Sequence, residues 1–498
     1  MANEFLNSIP KFLPETLLFL GILSVILGKT LFKNRNNVSL YITAAFLAIV
    51  IIFTFAQSGI IPQKLFFGTI VIDSFSLFFK LLIVISALFA VYFSYVSHEI
   101  KTDDKNSAEY FIFIIGLVLG AFLMVSSVNL LMIYVSIEIV NICIYFLSAF
   151  IKGSKRSSDA SLKNITFGII SSGFMLFGIS ILFGISGTLD LYDIGSFLSV
   201  NTFNTITLLI SVLLILIGAF YKILSIPSYF TLPDIYEWSQ LPVSSLISTT
   251  VLISGFGMLI RFFLTAFHNP VSTLENPETY NLINSFPWYS IISIIAILTI
   301  ILSNLAAIAQ DNIKRLTAFI TISQSGYILL GFVLANPQGL TASLFYLIIY
   351  LINSLGLFFC IILITNKYKA ENIHSIKGLV YHSPVLAISF GFFLFSLAGF
   401  PFTSGFIGKF FIFSALLNNG YLWIVILGAL NMIISLYFVL KFTKNVFILQ
   451  PYAAEQKFKL TTTENFILLI LLIPAIFAGI YFTPLLKLAE LSTMIQGL

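Results

Sequence analysis

The sequence predicts an all-α polytopic membrane protein of about fourteen transmembrane helices. Three observations point there: an extreme apolar content, its division into runs long enough to cross a bilayer, and basic charge that alternates from loop to loop. Hydrophobic residues fill 59% of the 498 positions and charged residues 9%, where an ordinary soluble domain is about half apolar and about a quarter charged. A soluble core cannot hide that much apolar surface; lipid can act as its solvent. The net charge of +5 comes mostly from loops, and no basic run is long enough to form a phosphate-binding stripe, which argues against nucleic-acid binding. Cys143 and Cys360 each lie inside an apolar run and read as buried small hydrophobes, not as a disulfide or metal framework.

A bilayer core of about 30 Å takes about 20 apolar residues per helix. Such runs fall near residues 14–32, 39–57, 73–97, 109–126, 128–151, 160–185 and 204–226. Others fall near 242–267, 286–309, 313–335, 339–366, 384–412, 419–446 and 464–488. The first run, Leu17 to Leu27, follows Pro14 and Glu15 without a small-residue cleavage pattern, so it is expected to be retained. Helices are the default because lipid leaves no exposed backbone group satisfied, and the alternation of barrel strands is missing.

The odd-numbered loops carry Lys29, Lys33 and Arg35; Lys101 and Lys105; Lys152, Lys155 and Arg156; Lys314 and Arg315; Lys367, Lys369 and Lys377; and Lys441, Lys444, Lys457 and Lys459. The even loops carry Lys64, acids such as Asp190, Asp193, Glu275 and Glu278, and Arg261 near a helix end. Basic loops stay on the cytoplasmic side, so both termini are expected on the opposite side.

Two spans hold a proline flanked by polar residues: Phe220-Tyr221-Lys222-Ile223-Leu224-Ser225-Ile226-Pro227, and Ala398-Gly399-Phe400-Pro401-Phe402-Thr403-Ser404-Gly405 leading to Lys409. Proline lacks the backbone donor and clashes with the preceding turn, so each helix is expected to break there. Broken helices at matching places in two halves are the signature of inverted repeats. The expected organisation is three N-terminal helices over 1–108, a first five-helix repeat over 109–267, a second over 286–446, and a last helix within 447–498.

A charge at membrane depth is expensive and marks a partner or a wet cavity. Glu138 stands mid-span, Lys222 beside the first break and Lys409 just past the second. Glu138 and Lys222 are expected to form a cross-helix ion pair that responds to protonation, with Lys409 as a second protonatable station. A static salt bridge joining helices is the competing reading. Lys80 and Lys163 lie nearer helix ends and are expected to snorkel to an interface. His98, His374 and His382 fall in or beside loops and His268 at a helix end; none has metal-ligand spacing, and surface positions are expected. No nucleotide-binding glycine motif occurs, so any redox chemistry falls to partners.

At these residues the chain resembles the antiporter-like membrane subunits of respiratory complex I (NADH–quinone oxidoreductase). The matching blocks are Tyr221-Lys222 with Pro227, Pro233-Asp234-Ile235-Tyr236-Glu237, Pro242-Val243, Gln310 to Leu316, and Leu397 to Phe410. A lysine at 409, not glutamate, resembles the subunit N branch. The resemblance implies that Glu138, Lys222 and Lys409 belong to a horizontal polar chain that moves protons while quinone is reduced elsewhere. It also implies that the chain itself binds no cofactor. NADH or another donor, quinone, flavin and iron–sulfur clusters would belong to partner subunits. The implied partners are neighbouring antiporter-like and small membrane-arm subunits in a bacterial inner membrane. Three positions depart from the pattern: Leu252 stands where a central lysine is usual, and Tyr229 and Gln324 where histidines are common. A path through Tyr229, Gln324 and Ser254, bridged by water, is the expected substitute. A stand-alone multisubunit cation/proton antiporter shares the broken helices, and a mainly structural subunit with an impaired channel is the other alternative.

Overall fold

A computed structural model describes residues 8–32, 37–59, 61–101, 107–151, 154–267, 288–368, 371–450 and 460–493. Lys33, Arg35, Lys105, Lys152, Lys369, Lys457, Lys459, Glu275, Glu278 and His268 lie outside the described residues.

Long apolar runs become helices because only a helix pairs every backbone group within its own segment. The chain opens with α1 (Leu13–Leu31) and α2 (Val38–Ala56), then a short antiparallel hairpin of β1 (Gln63–Leu65) and β2 (Ile70–Ile72). Next come α3 (Ser74–Val96), α4 (Ser107–Ser126), α5 (Leu130–Ser148) and α6 (Lys155–Ser186). A short α7 (Leu191–Val200) leads to α8 (Thr205–Lys222), α9 (Leu232–Trp238) and α10 (Leu241–Ala266), which contains a π-helical stretch, Ile247–Val251. The second half holds α11 (Trp288–Ile308), α12 (Ile313–Phe332), α13 (Pro337–Tyr368), α14 (Pro384–Ala398), α15 (Ser404–Asn418) and α16 (Leu422–Thr443). Two helices, α17 (Thr462–Ile480) and α18 (Thr483–Leu491), end the described chain.

Among the described residues, twelve helices are long and apolar enough to cross a membrane, and the chain is an integral multi-pass membrane protein. Two further expected spans take other forms. One is α12, whose length is right but whose face carries Thr317, Thr321, Ser323, Gln324 and Ser325, all buried in protein. The other is split into α14 and α15 on either side of Pro401. The central helices α10 and α13 are almost wholly buried, whereas α1, α2 and α17 turn most of their apolar side chains outward, as lipid-facing helices do.

Three charged or titratable side chains differ from expectation. Lys80 does not reach an interface: it is fully buried on α3 and meets Glu15 of α1 at 2.6 Å. Its position seven residues past the α3 N-cap, Asp73, keeps its head buried among helices. Arg261 is not at a loop; it is buried in α10 and forks onto both carboxylate oxygens of Asp73 at 2.7 and 2.9 Å, while its Nε donates to the Val125 carbonyl at 2.8 Å. Asp73 also caps α3 through Ser76, so one carboxylate starts a helix and neutralises a guanidinium. His382 is buried instead of exposed, edge-on to Tyr368 at the end of α13, because the turn Leu379–His382 packs against α14 and the stretch Lys444–Ile448. Cys143 and Cys360 are buried free thiols, as their apolar surroundings predict.

Candidate functional site

The first break follows directly from Pro227. In a continuous helix residue 227 would donate to the carbonyl of Ile223, but proline has no N–H. Accordingly α8 stops at Lys222, Leu224 adopts a left-handed φ of 60°, and the Ile226 N–H turns to Thr299 Oγ1 at 3.3 Å. The freed Ile223 carbonyl accepts a hydrogen bond from Ser325 Oγ of α12. Lys222, the last residue of α8, is thereby held at the break with 1% exposure.

Lys222 Nζ donates to Asn141 Oδ1, and Asn141 Nδ2 donates to Glu138 Oε1 at 3.3 Å. The expected direct pair is therefore corrected: Glu138 and Lys222 are not within ion-pair distance, and an amide stands between them. Asn141 lies three residues after Glu138, on the same face of α5, which is the signal sequence reading passed over. Gly255 of α10 lets that helix close on Lys222, since a Cβ there would sit 3.0 Å from the lysine Cβ. A cavity of about 20 Å³ beside Lys222 is bordered by Asn164, Tyr221 and Thr231, room for a water with polar partners.

The second break repeats the logic. Pro401 cannot donate to the Leu397 carbonyl, so α14 ends at Ala398 and Gly399 caps it at φ 90°. The chain resumes at Ser404, and Gly405 is obligatory there because a Cβ would lie 1.7 Å from the Ser396 carbonyl oxygen. Lys409, on the second turn of α15 and fully buried, folds back onto the break. Its Nζ donates to the Leu397 and Ala398 carbonyls at 2.8 and 3.1 Å and lies 4.1 Å from the centre of the Tyr327 ring.

Of the three residues expected in a polar path, the structure brings one to the lysines. Gln324 Nε2 donates to the Leu397 carbonyl at 3.1 Å, the same oxygen that Lys409 uses, and its Oε1 accepts from the Tyr346 hydroxyl. Ser254 instead donates to Val251 of its own helix, and Tyr229 packs its ring on Phe230. Leu252 is completely buried in α10. Ser325, absent from the sequence reading, makes the contact to the first break.

Around the ends of these helices runs an ionic lattice. Asp234 and Glu237 of α9 both accept from Arg315 at 2.7 and 2.8 Å, and Asp234 also pairs with Lys163, whose half-exposed head matches the expected helix-end position. Lys314 reaches Glu99 at 3.2 Å, and Glu99 accepts from the Leu241 N–H at the start of α10. Outside the spans, the hydrogen bond from Lys441 at 2.7 Å holds the Asp311 carboxyl below the usual carboxylate range.

The family model described as NADH:quinone oxidoreductase/Mrp antiporter, transmembrane, matches residues 127–435, which include both breaks. The chain is 37% identical over 492 residues to subunit N 2 of NADH-quinone oxidoreductase from Chloroherpeton thalassium, covering 98% of this chain and 94% of that one. It is 32% identical over 499 residues to subunit N from Chlorobium chlorochromatii, covering 99% and 96%. In fold it is similar to a chain of respiratory complex I from Thermus thermophilus, with TM-score 0.78 at 22% identity over 96% of this chain and 99% of that one. It is also similar to a chain of the Mrp complex from Dietzia sp., with TM-score 0.81 at 19% identity over 96% and 97%. On the extent of these matches, the chain belongs to the NADH:quinone oxidoreductase/Mrp antiporter transmembrane family.

Proposed function

We propose that this chain is a proton-translocating subunit in the membrane arm of a complex I-like NADH (or other donor):quinone oxidoreductase. Glu138, Lys222 and Lys409 carry the proton, and other subunits carry the electrons. In this reading the chain binds no redox group; the flavin, iron–sulfur clusters and quinone site are on its partners. It sits in a bacterial inner membrane with basic loops inside and both termini outside, and residues 109–267 and 286–446 form the two inverted repeats.

The observation that carries the reading is a contrast among buried cations. Lys80 and Arg261 are each closed by a carboxylate at direct contact, Glu15 and Asp73. Such pairs hold helices together and set a full counter-charge against the cation. Lys222 and Lys409 are just as buried, yet their ammonium groups are held by an amide oxygen and by backbone carbonyls. Neutral acceptors bind the ammonium form without fixing a full counter-charge to it, and both lysines stand beside a helix break whose backbone carbonyls are no longer used within the helix. Glu138 acts on Lys222 through Asn141, near enough to bias its charge and too far to trap it.

The relatives that cover nearly the whole chain at 30% identity or more are named as subunit N, whereas the likeness to the Mrp complex lies in the fold; this supports the quinone-reductase setting over a stand-alone antiporter. The test uses membrane vesicles containing the assembled complex, with quinone reduction and proton uptake followed together. Lys222→Ala and Glu138→Gln are expected to lower the coupled uptake. If both variants reduce quinone and pump like the parent, the structural reading replaces this one.

A further inference from the structure

Each proline of the two breaks strands one carbonyl, the one four residues before it: Ile223 for Pro227 and Leu397 for Pro401. A buried carbonyl without a donor is costly, so something must satisfy each of them. The donors come from adjacent residues of one helix. Ser325 Oγ of α12 donates to Ile223 O, and Gln324 Nε2 donates to Leu397 O at 3.1 Å. Successive residues on a helix point about 100° apart, so two neighbours can face two different elements.

We propose that Gln324 and Ser325 are positioning residues that tie the two breaks together, so that the placement of Lys222 depends on that of Lys409 and the reverse. This rests on the proton-translocation reading above. The first link is direct: Ile223 follows Lys222, so holding the Ile223 carbonyl sets where the end of α8 presents the lysine. The second is shared: Leu397 O accepts from both Gln324 and Lys409, so the lysine head cannot leave that oxygen without changing the hydrogen bond to α12. The Tyr346 hydroxyl, donating to Gln324 Oε1, turns the amide so that its N–H faces the break. Between the two donors there is only one peptide unit of a buried helix, which transmits displacement with little slack. An amide and a carbonyl do not pass protons along, so the bridge conveys position and not the proton itself. It also joins the two halves without using Leu252, which has no group able to take part.

The experiment uses vesicles holding the assembled complex, and divides proton uptake coupled to quinone reduction by the amount of assembled complex. Ser325→Ala and Gln324→Leu each remove one donor from a stranded carbonyl and are expected to slow coupled uptake by about threefold to tenfold. Because both cut the same bridge, the double variant should lose no more than the worse single variant. Ser325→Thr keeps the hydroxyl and should restore most of the uptake, which a mere packing role would not allow in so tight a site. Losses that multiply in the double variant, or single variants that pump like the parent, overturn the bridge. Lys222→Ala and Lys409→Ala run alongside. If those two also pump normally, the translocation reading itself has failed; if they stop pumping while the bridge variants do not, only the bridge has. Where Ser325→Ala prevents assembly, Ser325→Cys, a weaker donor of similar size, supplies the same comparison.

Discussion

Replacing Asn141 by aspartate would give Lys222 the kind of partner that Lys80 and Arg261 already have. The side chain keeps its shape, and the oxygen that accepts from Lys222 Nζ keeps its place, but that oxygen now carries charge. Two unit charges about 4 Å apart attract by about 4 kcal/mol at an effective dielectric constant of about 20. The second carboxylate, Glu138, stands 3.3 Å from the Asn141 side chain, so the variant also sets two acids side by side, and part of this attraction goes into offsetting their repulsion. A proton-release step that has to break the full attraction slows by about a thousandfold. The assay is proton uptake by vesicles during quinone reduction, with Asn141→Gln as the neutral control that keeps an amide near the lysine. Coupled uptake should fall steeply in Asn141→Asp and mildly in Asn141→Gln. Equal uptake in Asn141→Asp and the parent would mean that Lys222 need not release its proton, and the reasoning from neutral acceptors would be wrong.

Asp73→Ala should leave the Arg261 guanidinium buried without its carboxylate and α3 without its cap; losses of about 3–5 kcal/mol for the broken pair and about 1 kcal/mol for the cap predict little assembled subunit, read by native gel after mild heating. Gly405→Ala drives a Cβ into the Ser396 carbonyl, so α14 and α15 must separate and Lys409 must lose its carbonyl acceptors; assembled complexes should retain quinone reduction and lose coupled uptake. The Asp311–Lys441 contact adds a small, solvent-screened stabilisation, because the folded carboxyl titrates below its unfolded value. That contribution is present above the ordinary carboxylate range and is lost as pH falls through the lowered folded value, so Lys441→Met should cut the parent's resistance to heat at neutral pH and leave it unchanged in acid.

Much of this was legible in the sequence because lipid imposes simple rules. Apolar runs of bilayer length gave the helices, and Pro227 and Pro401 gave the breaks, with Lys222 and Lys409 beside them. What stayed hidden depends on contacts between distant parts of the chain. Nothing local marks Lys80 as the partner of Glu15, or Arg261 as the partner of Asp73, because each pair joins separate helices. Ser325 is one of many small hydroxyl residues in apolar helices, and only its approach to a stranded carbonyl distinguishes it. The β1–β2 hairpin turns through Phe66, Phe67 and Gly68, all at left-handed φ values of 49°, 57° and 83°; two phenylalanines ahead of the glycine do not read as a turn, and strands of three residues are too short to show alternation. Asn141 is different in kind. Its spacing of three from Glu138 puts both on one helix face, but a neutral amide carries none of the charge that marks a functional residue at membrane depth.

In the proposed function Lys222 and Lys409, the buried lysines held by neutral groups, move protons, and Lys80, closed by Glu15 at membrane depth, does not. The most direct measurement compares coupled proton uptake in two variant complexes: Lys409→Met, and Glu15→Gln combined with Lys80→Met. Removing both members of a buried pair leaves no stranded charge, so the second variant should assemble and pump like the parent. The first should assemble and lose coupled uptake. Normal uptake with Lys409→Met, or lost uptake in a fully assembled Glu15→Gln and Lys80→Met complex, would contradict the account.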